Sequence, residues 1–278
     1  MNKFKKKRPG YWISRVVILI LLILTFFPFV MLLNMSLKTR LMIHIDFLGL
    51  PNPFVFENYV NAIGFVLKPV LNSLYICAVS LVFILIFVSL SGYAFGRMNF
   101  AGKKILFGLL LAVLMIPYIL LIVPNFWIVY KLKWLNSYLA LIVPYIAGQQ
   151  FFAIILARAF YETLPNDMFE SAKIDGAGEF TMYARIALPL SGPILITVGI
   201  TCVIAMYNDY IWPTIVLTGS DKMKTFCQIV FNNAAGNGSM DYGLLAAGFV
   251  LGTLPLLAIT CSCLKYYLRG MIEGAIKG

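Results

Sequence analysis

One carboxylate stands in a long apolar stretch of this sequence. From Ile186 to Ser220 the only charged residue is Asp209, set among Tyr207, Asn208, Tyr210 and Trp212. A charge inside hydrocarbon costs several kcal/mol, about 2.5–3.5 at mid-helix on insertion scales, so its presence asks for a role. Three chemistries are open. Asp209 is an interfacial carboxylate flanked by an ordinary aromatic belt. Alternatively, Asn208 and Asp209 face a pathway in which a hydroxyl-rich solute exchanges hydrogen bonds with them, while a ring such as Tyr207 or Trp212 stacks on a sugar face. In the third, Asp209 is the coupling acid of an ion-driven carrier, which predicts transport on a proton or sodium gradient without ATP.

A second constellation lies between about 160 and 190, where five of the 11 acidic residues fall: Glu162, Asp167, Glu170, Asp175 and Glu179. Pro165 suits a first helical turn, Asn166 and Asp167 favour a helix start, and Gly176 marks a stop near Ile174 or Asp175. The spacing predicts a short surface helix with Phe169, Ala172 and Ile174 on an apolar flank and Glu170 and Lys173 beside it. A second short piece, Phe180 to Ala187, leads into Leu188-Pro189. Such an element docks into a groove on a soluble partner and passes force to membrane helices, or lies as a connector against its own bundle.

Other chemistries lack their residues. There is no G-x-x-x-x-G-K-[ST] phosphate loop, so the chain is not expected to hydrolyse ATP, and no nucleophile–base cluster argues for an enzyme. The sole histidine, His44, builds no multi-histidine metal site, and H-E-x-x-H is absent. Cys77, Cys202, Cys227, Cys261 and Cys263 are odd in number and lack paired-ligand spacing, which argues against a disulfide scaffold and a metal site.

The elements that must position these residues follow from composition. With 61% hydrophobic and 12% charged side chains in 278 residues, a water-soluble fold could not cover its own surface. An integral membrane protein is expected, all-α. Because a span needs roughly 20 apolar residues, six are predicted, at about 16–35, 70–96, 105–130, 136–158, 192–215 and 242–265. The first follows a basic head and could read as a signal peptide, but its core is too long and it ends without a small-residue cleavage site, which favours a retained helix. Pro117, Pro124 and Pro255 free backbone carbonyls and bend their helices.

The 22 basic residues set the orientation. With the N-terminus inside, the cytoplasmic segments collect Lys3, Lys5, Lys6, Lys7, Arg8 and Arg15, then Arg97, Lys103 and Lys104, then Arg158, Lys173 and Arg185, and finally Lys265, Arg269 and Lys277. The other side keeps Lys38, Arg40, Lys68, Lys131, Lys133, Lys222 and Lys224. The bias predicts N-in, C-in topology, and it explains the +11 charge without nucleic acid. The organisation expected is a basic cytoplasmic N-terminus over 1–15, a transmembrane domain over 16–268 with its loop at about 162–190, and a cytoplasmic tail over 269–278.

The stretch Glu170-Ser-Ala-Lys-Ile-Asp-Gly-Ala-Gly178, followed by Leu188-Pro189, resembles the EAA loop of ABC-importer permeases. Asn72-Ser73-Leu74, Gly92-Tyr-Ala-Phe-Gly-Arg97, Tyr207-Asn208-Asp209 with Trp212-Pro213, and the terminal Gly270 to Gly278 resemble the carbohydrate-uptake, MalG-like branch of that family. The resemblance covers essentially the whole chain. It implies a coupling helix carrying Glu170, Ser171, Ala172, Asp175, Gly176 and Ala177, with Ser171 replacing the first Ala of the family pattern and Gly176 permitting the turn. It also implies a second homologous permease subunit, two ATP-binding cassette subunits that bind ATP and Mg, and an extracytoplasmic solute-binding protein. The location implied is a bacterial or archaeal inner membrane, with lipid as the surrounding partner. The reading reached is a non-catalytic, ATP-driven importer subunit for a sugar or oligosaccharide, with Tyr207, Asn208, Asp209 and Trp212 on the solute path and no cofactor on this chain.

Overall fold

The computed structural model describes residues 9–219, 222–235 and 241–275. The basic head Lys3 to Arg8 and the end of the chain, Lys277 included, lie outside the described residues. Every regular element described is helical: α1 (Pro9–Ser36), α2 (Arg40–Ile45), α3 (Glu57–Arg97), α4 (Lys103–Leu114), α5 (Tyr118–Lys131), α6 (Leu139–Thr163) and α7 (Asn166–Ile174). They are followed by α8 (Glu179–Leu190), α9 (Gly192–Asn208), α10 (Ile211–Val216), α11 (Phe226–Ala235) and α12 (Tyr242–Ala275).

Four helices are long and apolar enough to cross a membrane: Ser14–Ser36, Glu57–Arg97, Leu139–Thr163 and Tyr242–Lys265. Two further pairs pass the same test only together, α4 with α5, bent by 101°, and α8 with α9, bent by 71°. The chain is therefore an all-α polytopic membrane protein with four to six candidate spans. The stretch expected as one helix over 105–130 is two. Pro117 adopts extended backbone (φ −57, ψ 129) ahead of α5, because proline has no N–H to donate and disfavours helix in the residue before it. Pro124 and Pro255 instead stay inside α5 and α12. The span expected over 192–215 is also interrupted: Asp209 is extended (ψ 123) where α9 ends, and α10 begins two residues later. The helix expected from 70 begins at Glu57.

Two compact units divide the chain. The first comprises Met1–Val66 and Asn232–Thr253. Its organising group is Lys38, whose side chain is buried and donates from Nζ to Asp46 O (2.8 Å) and Phe47 O (3.1 Å), so the ammonium keeps partners out of water. Asn58 Nδ2 donates to Ser36 O and Lys38 O at 3.0 and 2.9 Å. The backbone of α12 passes so close that a Cβ on Gly243 would lie 2.1 Å from Lys38 O.

The second unit comprises Leu67–Phe231 and Leu254–Gly278, and it holds both constellations singled out above. Its core runs through Ile76, Ile84 and Val88 of α3, Ala153 and Ala157 of α6, and Val198, Val203 and Met206 of α9. Small residues decide how near the helices come. A Cβ on Gly92 would lie 2.6 Å from Ala157 Cβ, and one on Gly96 would lie 2.9 Å from Tyr161 Cβ. Glycine at these two positions, one helical turn apart, lets α3 and α6 touch along their backbones.

Candidate functional site

The acidic segment folds as its residue types dictate. Leu164 and Pro165 are extended (ψ 143 and 134), and α7 starts directly after them. At its far end Gly176 takes φ +80, the left-handed conformation that glycine adopts without a Cβ penalty. Gly176 N donates to Lys173 O (3.0 Å) and Ala177 N to Ala172 O (2.9 Å), the two bonds of a Schellman ending. Asp175 N donates to Ser171 O at 3.0 Å. These residues therefore share one task, closing α7 and turning the chain into α8.

The faces of α7 differ from the expected pattern. Phe169 is buried, at 7% exposure, but Ile174 stands 86% exposed and Phe180 at the start of α8 is 75% exposed. Ile174 does not share a flank with Phe169: five residues along a helix of 3.6 per turn put them about 140° apart. Met168, Ile174 and Phe180 are each exposed, as are Glu170 and Asp175.

Behind this face, α7 is tied inward. Arg97, the last residue of α3, donates from Nε to Tyr161 O (2.7 Å), from Nη1 to Asn166 Oδ1 (2.5 Å) and from Nη2 to Leu164 O. Its guanidinium also lies 4.5 Å over the Phe169 ring. One turn earlier, Tyr93 donates its hydroxyl to Glu179 Oε2 at 3.0 Å, and Lys173 Nζ stands 3.9 Å from Glu179 Oε1. Tyr183, in a π-helical turn over Tyr183–Ala187, lies with its hydroxyl 2.6 Å from Ser89 Oγ. Such turns recur at functional sites.

The second site surrounds Asp209. Its Oδ1 accepts from Ile211 N (3.0 Å) and Trp212 N (3.3 Å), capping the first turn of α10. Its Oδ2 accepts from the Tyr145 hydroxyl at 3.0 Å. Trp212 is 0% exposed and donates from Nε1 to Ala140 O at 2.9 Å, while Tyr207 is buried with its ring 5.8 Å from that of Phe226. Asn208 is exposed and donates to Ile204 O of its own helix.

Of the four residues expected to be on a path, Asp209 lines a cavity in which the other three take no part. That cavity, of about 470 Å³, lies between α5 and α6 and also takes in Tyr118, Asn125, Trp134, Tyr145 and Gln149. Sequence reasoning passed over these five. The signal available for Asn125 and Gln149 was an amide inside an uncharged span; the aromatic residues carried none. Volume and lining fall in the range of small-molecule sites, roughly 300–1,000 Å³ with a few placed polar groups. Among the described residues no cluster of three His, Cys, Asp or Glu could hold a metal ion. His44 meets the edge of the Tyr242 ring at 5.9 Å.

Comparison with known proteins adds an independent finding. Residues 89–269 match the family described as binding-protein-dependent transport system inner membrane component. The arabinooligosaccharides transport system permease protein AraQ of Bacillus subtilis is 30% identical over 282 residues, covering 97% of this chain and 98% of that protein. The trehalose/maltose transport system permease protein MalG of Thermococcus litoralis is 28% identical over 270 residues, 94% of each. A chain in the crystal structure of a bacterial ABC transporter involved in import of the acidic polysaccharide alginate superposes with a TM-score of 0.81. At 19% identity, covering 96% of this chain and 100% of that one, that likeness establishes the fold.

Proposed function

Because this chain belongs to the family of binding-protein-dependent transport system inner membrane components, we propose that it forms half of the solute path of an ATP-driven sugar or oligosaccharide importer. It is a membrane permease subunit and carries out no covalent chemistry of its own. The observation that carries the reading is the exposure of apolar side chains on α7 and at the start of α8. Met168, Ile174 and Phe180 stand exposed in a charged segment between long apolar helices, which suits docking of a soluble partner.

In this reading each bent pair is one span, which makes six, with both termini in the cytoplasm. The basic N-terminus is 1–15, the permease domain 16–268 and the tail 269–278. The ATPase subunits hold ATP and Mg, dock on Glu170, Ser171, Ala172, Asp175, Gly176 and Ala177, and move α7 when ATP draws them together. That displacement shifts the helices between inward-open and outward-open populations. A second permease subunit completes the path, and an extracytoplasmic binding protein delivers the solute.

The cavity beside Asp209 supports a hydroxyl-rich solute. Asn125 and Gln149 both donate and accept, Asp209 accepts, and Tyr118 and Trp134 add aromatic rings to the lining. Asn208 stands next to this carboxylate, whereas Tyr207 and Trp212 serve the path by packing the helix break that holds Asp209. The relatives named for arabinooligosaccharides and for trehalose and maltose point to the same solute class. Asp209 accepts three hydrogen bonds within the chain, which hold its two oxygens in place beside the cavity.

The test is mild-detergent purification of the tagged chain from its native membrane, beside Gly176→Pro, with mass-spectrometric identification of companions. Proline cannot take φ +80 and lacks the N–H that Gly176 gives to Lys173 O. The expected result is an ATPase and a second permease with the native chain, and loss of the ATPase with the variant. A native chain that emerges alone under several gentle conditions overturns the reading.

A further inference from the structure

Three helix ends and one arginine meet at α7, and the expected pattern of the docking segment does not account for their arrangement. The last turn of a helix leaves carbonyls without intrahelical donors. At the end of α6 those of Tyr161 and Leu164 take donors from Arg97, which belongs to α3, 64 and 67 residues earlier in the chain. The third arm of the same guanidinium holds Asn166 Oδ1 at the first residue of α7, and its flat face covers Phe169. Gly92 and Gly96 allow this reach by bringing α3 against Ala157 and Tyr161.

The other end of α7 is tied to the same turn of α3. Tyr93 and Arg97, four residues apart, share a helix face. Tyr93 holds Glu179, and Glu179 pairs with Lys173 in the last turn of α7. The first turn of an otherwise exposed nine-residue helix is thus fastened to this turn of α3 directly, and its last turn is linked to it more loosely, through Glu179.

We propose that Arg97 is a positioning residue that makes α7 a rigid continuation of the ends of α3 and α6, so that displacement of α7 by a docked partner reaches both spans. The inference rests on the importer reading for the identity of that partner, but the clasp itself does not. The fork geometry is essential. Three acceptors in different directions match a planar guanidinium, and an ammonium on a flexible stem cannot hold them together. Charge alone is therefore insufficient, and Arg97→Lys is the discriminating variant.

Two readouts test it. In the first, the complete transporter, with its binding protein, is reconstituted in proteoliposomes and uptake of radiolabelled maltose and arabinotriose is measured per ATP hydrolysed. Arg97→Lys and Arg97→Ala are expected to keep the ATPase subunit and its hydrolysis while solute moved per ATP falls at least about fivefold, the lower end of ordinary allosteric coupling. Wild-type stoichiometry in Arg97→Lys overturns the proposal. So does a parallel fall of hydrolysis and uptake with loss of the ATPase subunit, which would mark a docking contact only.

In the second, nitroxides at Ser171 and Met98 of the full chain report their separation by pulsed electron resonance. A single narrow distribution in the native chain that broadens in Arg97→Lys supports the clasp, and equal widths overturn it. Should the wild type take up neither sugar, the solute assignment falls, and the spin-label widths still decide the role of Arg97. If Arg97→Ala fails to assemble, Arg97→Lys decides alone.

Discussion

The Tyr145 hydroxyl donates to Asp209 Oδ2 at 3.0 Å, joining the second turn of α6 to the break between α9 and α10. The carboxylate is consequently shared. One oxygen caps α10 through two backbone amides, and the other meets a cavity-lining tyrosine. Structural and functional roles of Asp209 can be separated by choice of substitution.

Asp209→Asn keeps an oxygen for Ile211 N and Trp212 N, whereas Asp209→Ala strands both amides at a cost of about 1–3 kcal/mol. The alanine variant is expected to lower the melting temperature in detergent and the asparagine variant to leave it nearly unchanged. In uptake assays Asp209→Asn should raise the apparent KM about tenfold, equivalent to about 1.4 kcal/mol of solute binding. Uptake on a proton or sodium gradient without ATP, lost in Asp209→Asn, would instead identify an ion-coupled carrier.

Ile174→Asp probes the exposed apolar side chains of α7 and α8 without touching the core. At 86% exposure the side chain contributes little to folding, so thermal stability should stay within about 0.5 kcal/mol of the native value. Recovery of the ATPase subunit in co-purification should nevertheless drop, with Phe180→Ser adding to the loss. Unchanged recovery in the double variant would mean that the partner docks elsewhere.

Gly92→Ala should destabilise the second unit. The new Cβ would meet Ala157 Cβ at 2.6 Å and backbone at 3.3 Å, forcing α3 and α6 apart at a cost of about 1–3 kcal/mol. Thermal unfolding in detergent measures it. Ala157→Gly in the same chain should recover part of the loss, because it removes the nearer of the two obstacles.

Asn72→Ala should loosen the chain before α11. Asn72 Nδ2 donates to Lys222 O and Lys224 O at 3.0 Å each, and its Oδ1 accepts from the Tyr138 hydroxyl at 2.9 Å. Losing these contacts, at roughly 1 kcal/mol per bond, is expected to speed amide hydrogen exchange across 222–230 while leaving α6 protected. Ser73, which accepts from Phe226 N at 2.9 Å, limits the opening, so Asn72→Ala with Ser73→Ala should exchange faster than either alone.

Much of the fold was legible because hydrophobic length is a local quantity. The long apolar runs, the short helix after Pro165 and its end at Gly176 can be read from neighbouring residues, since a span is set by how many apolar residues follow one another and a helix end by one residue's allowed dihedrals. The breaks were only half legible. Pro117, Pro124 and Pro255 carry the same chemistry, yet only Pro117 separates two helices. Whether a freed carbonyl ends a helix depends on what packs against it.

The candidate sites divide in the same way. Composition and patterning alone make this a membrane protein with a charged, helix-forming segment between apolar spans and one carboxylate within them. Which groups those residues meet came from the packing of the helices: Tyr145 is 64 residues from Asp209, and Arg97 is 69 from Asn166. It also decided that Ile174 faces outward while Phe169 is buried beneath a guanidinium. The physical reason is that cavities and clasps are made by groups converging through space, and their partners lie on different helices whose approach depends on packing at residues such as Gly92 and Gly96. Periodicity along one helix carries no information about which side chain waits on the next.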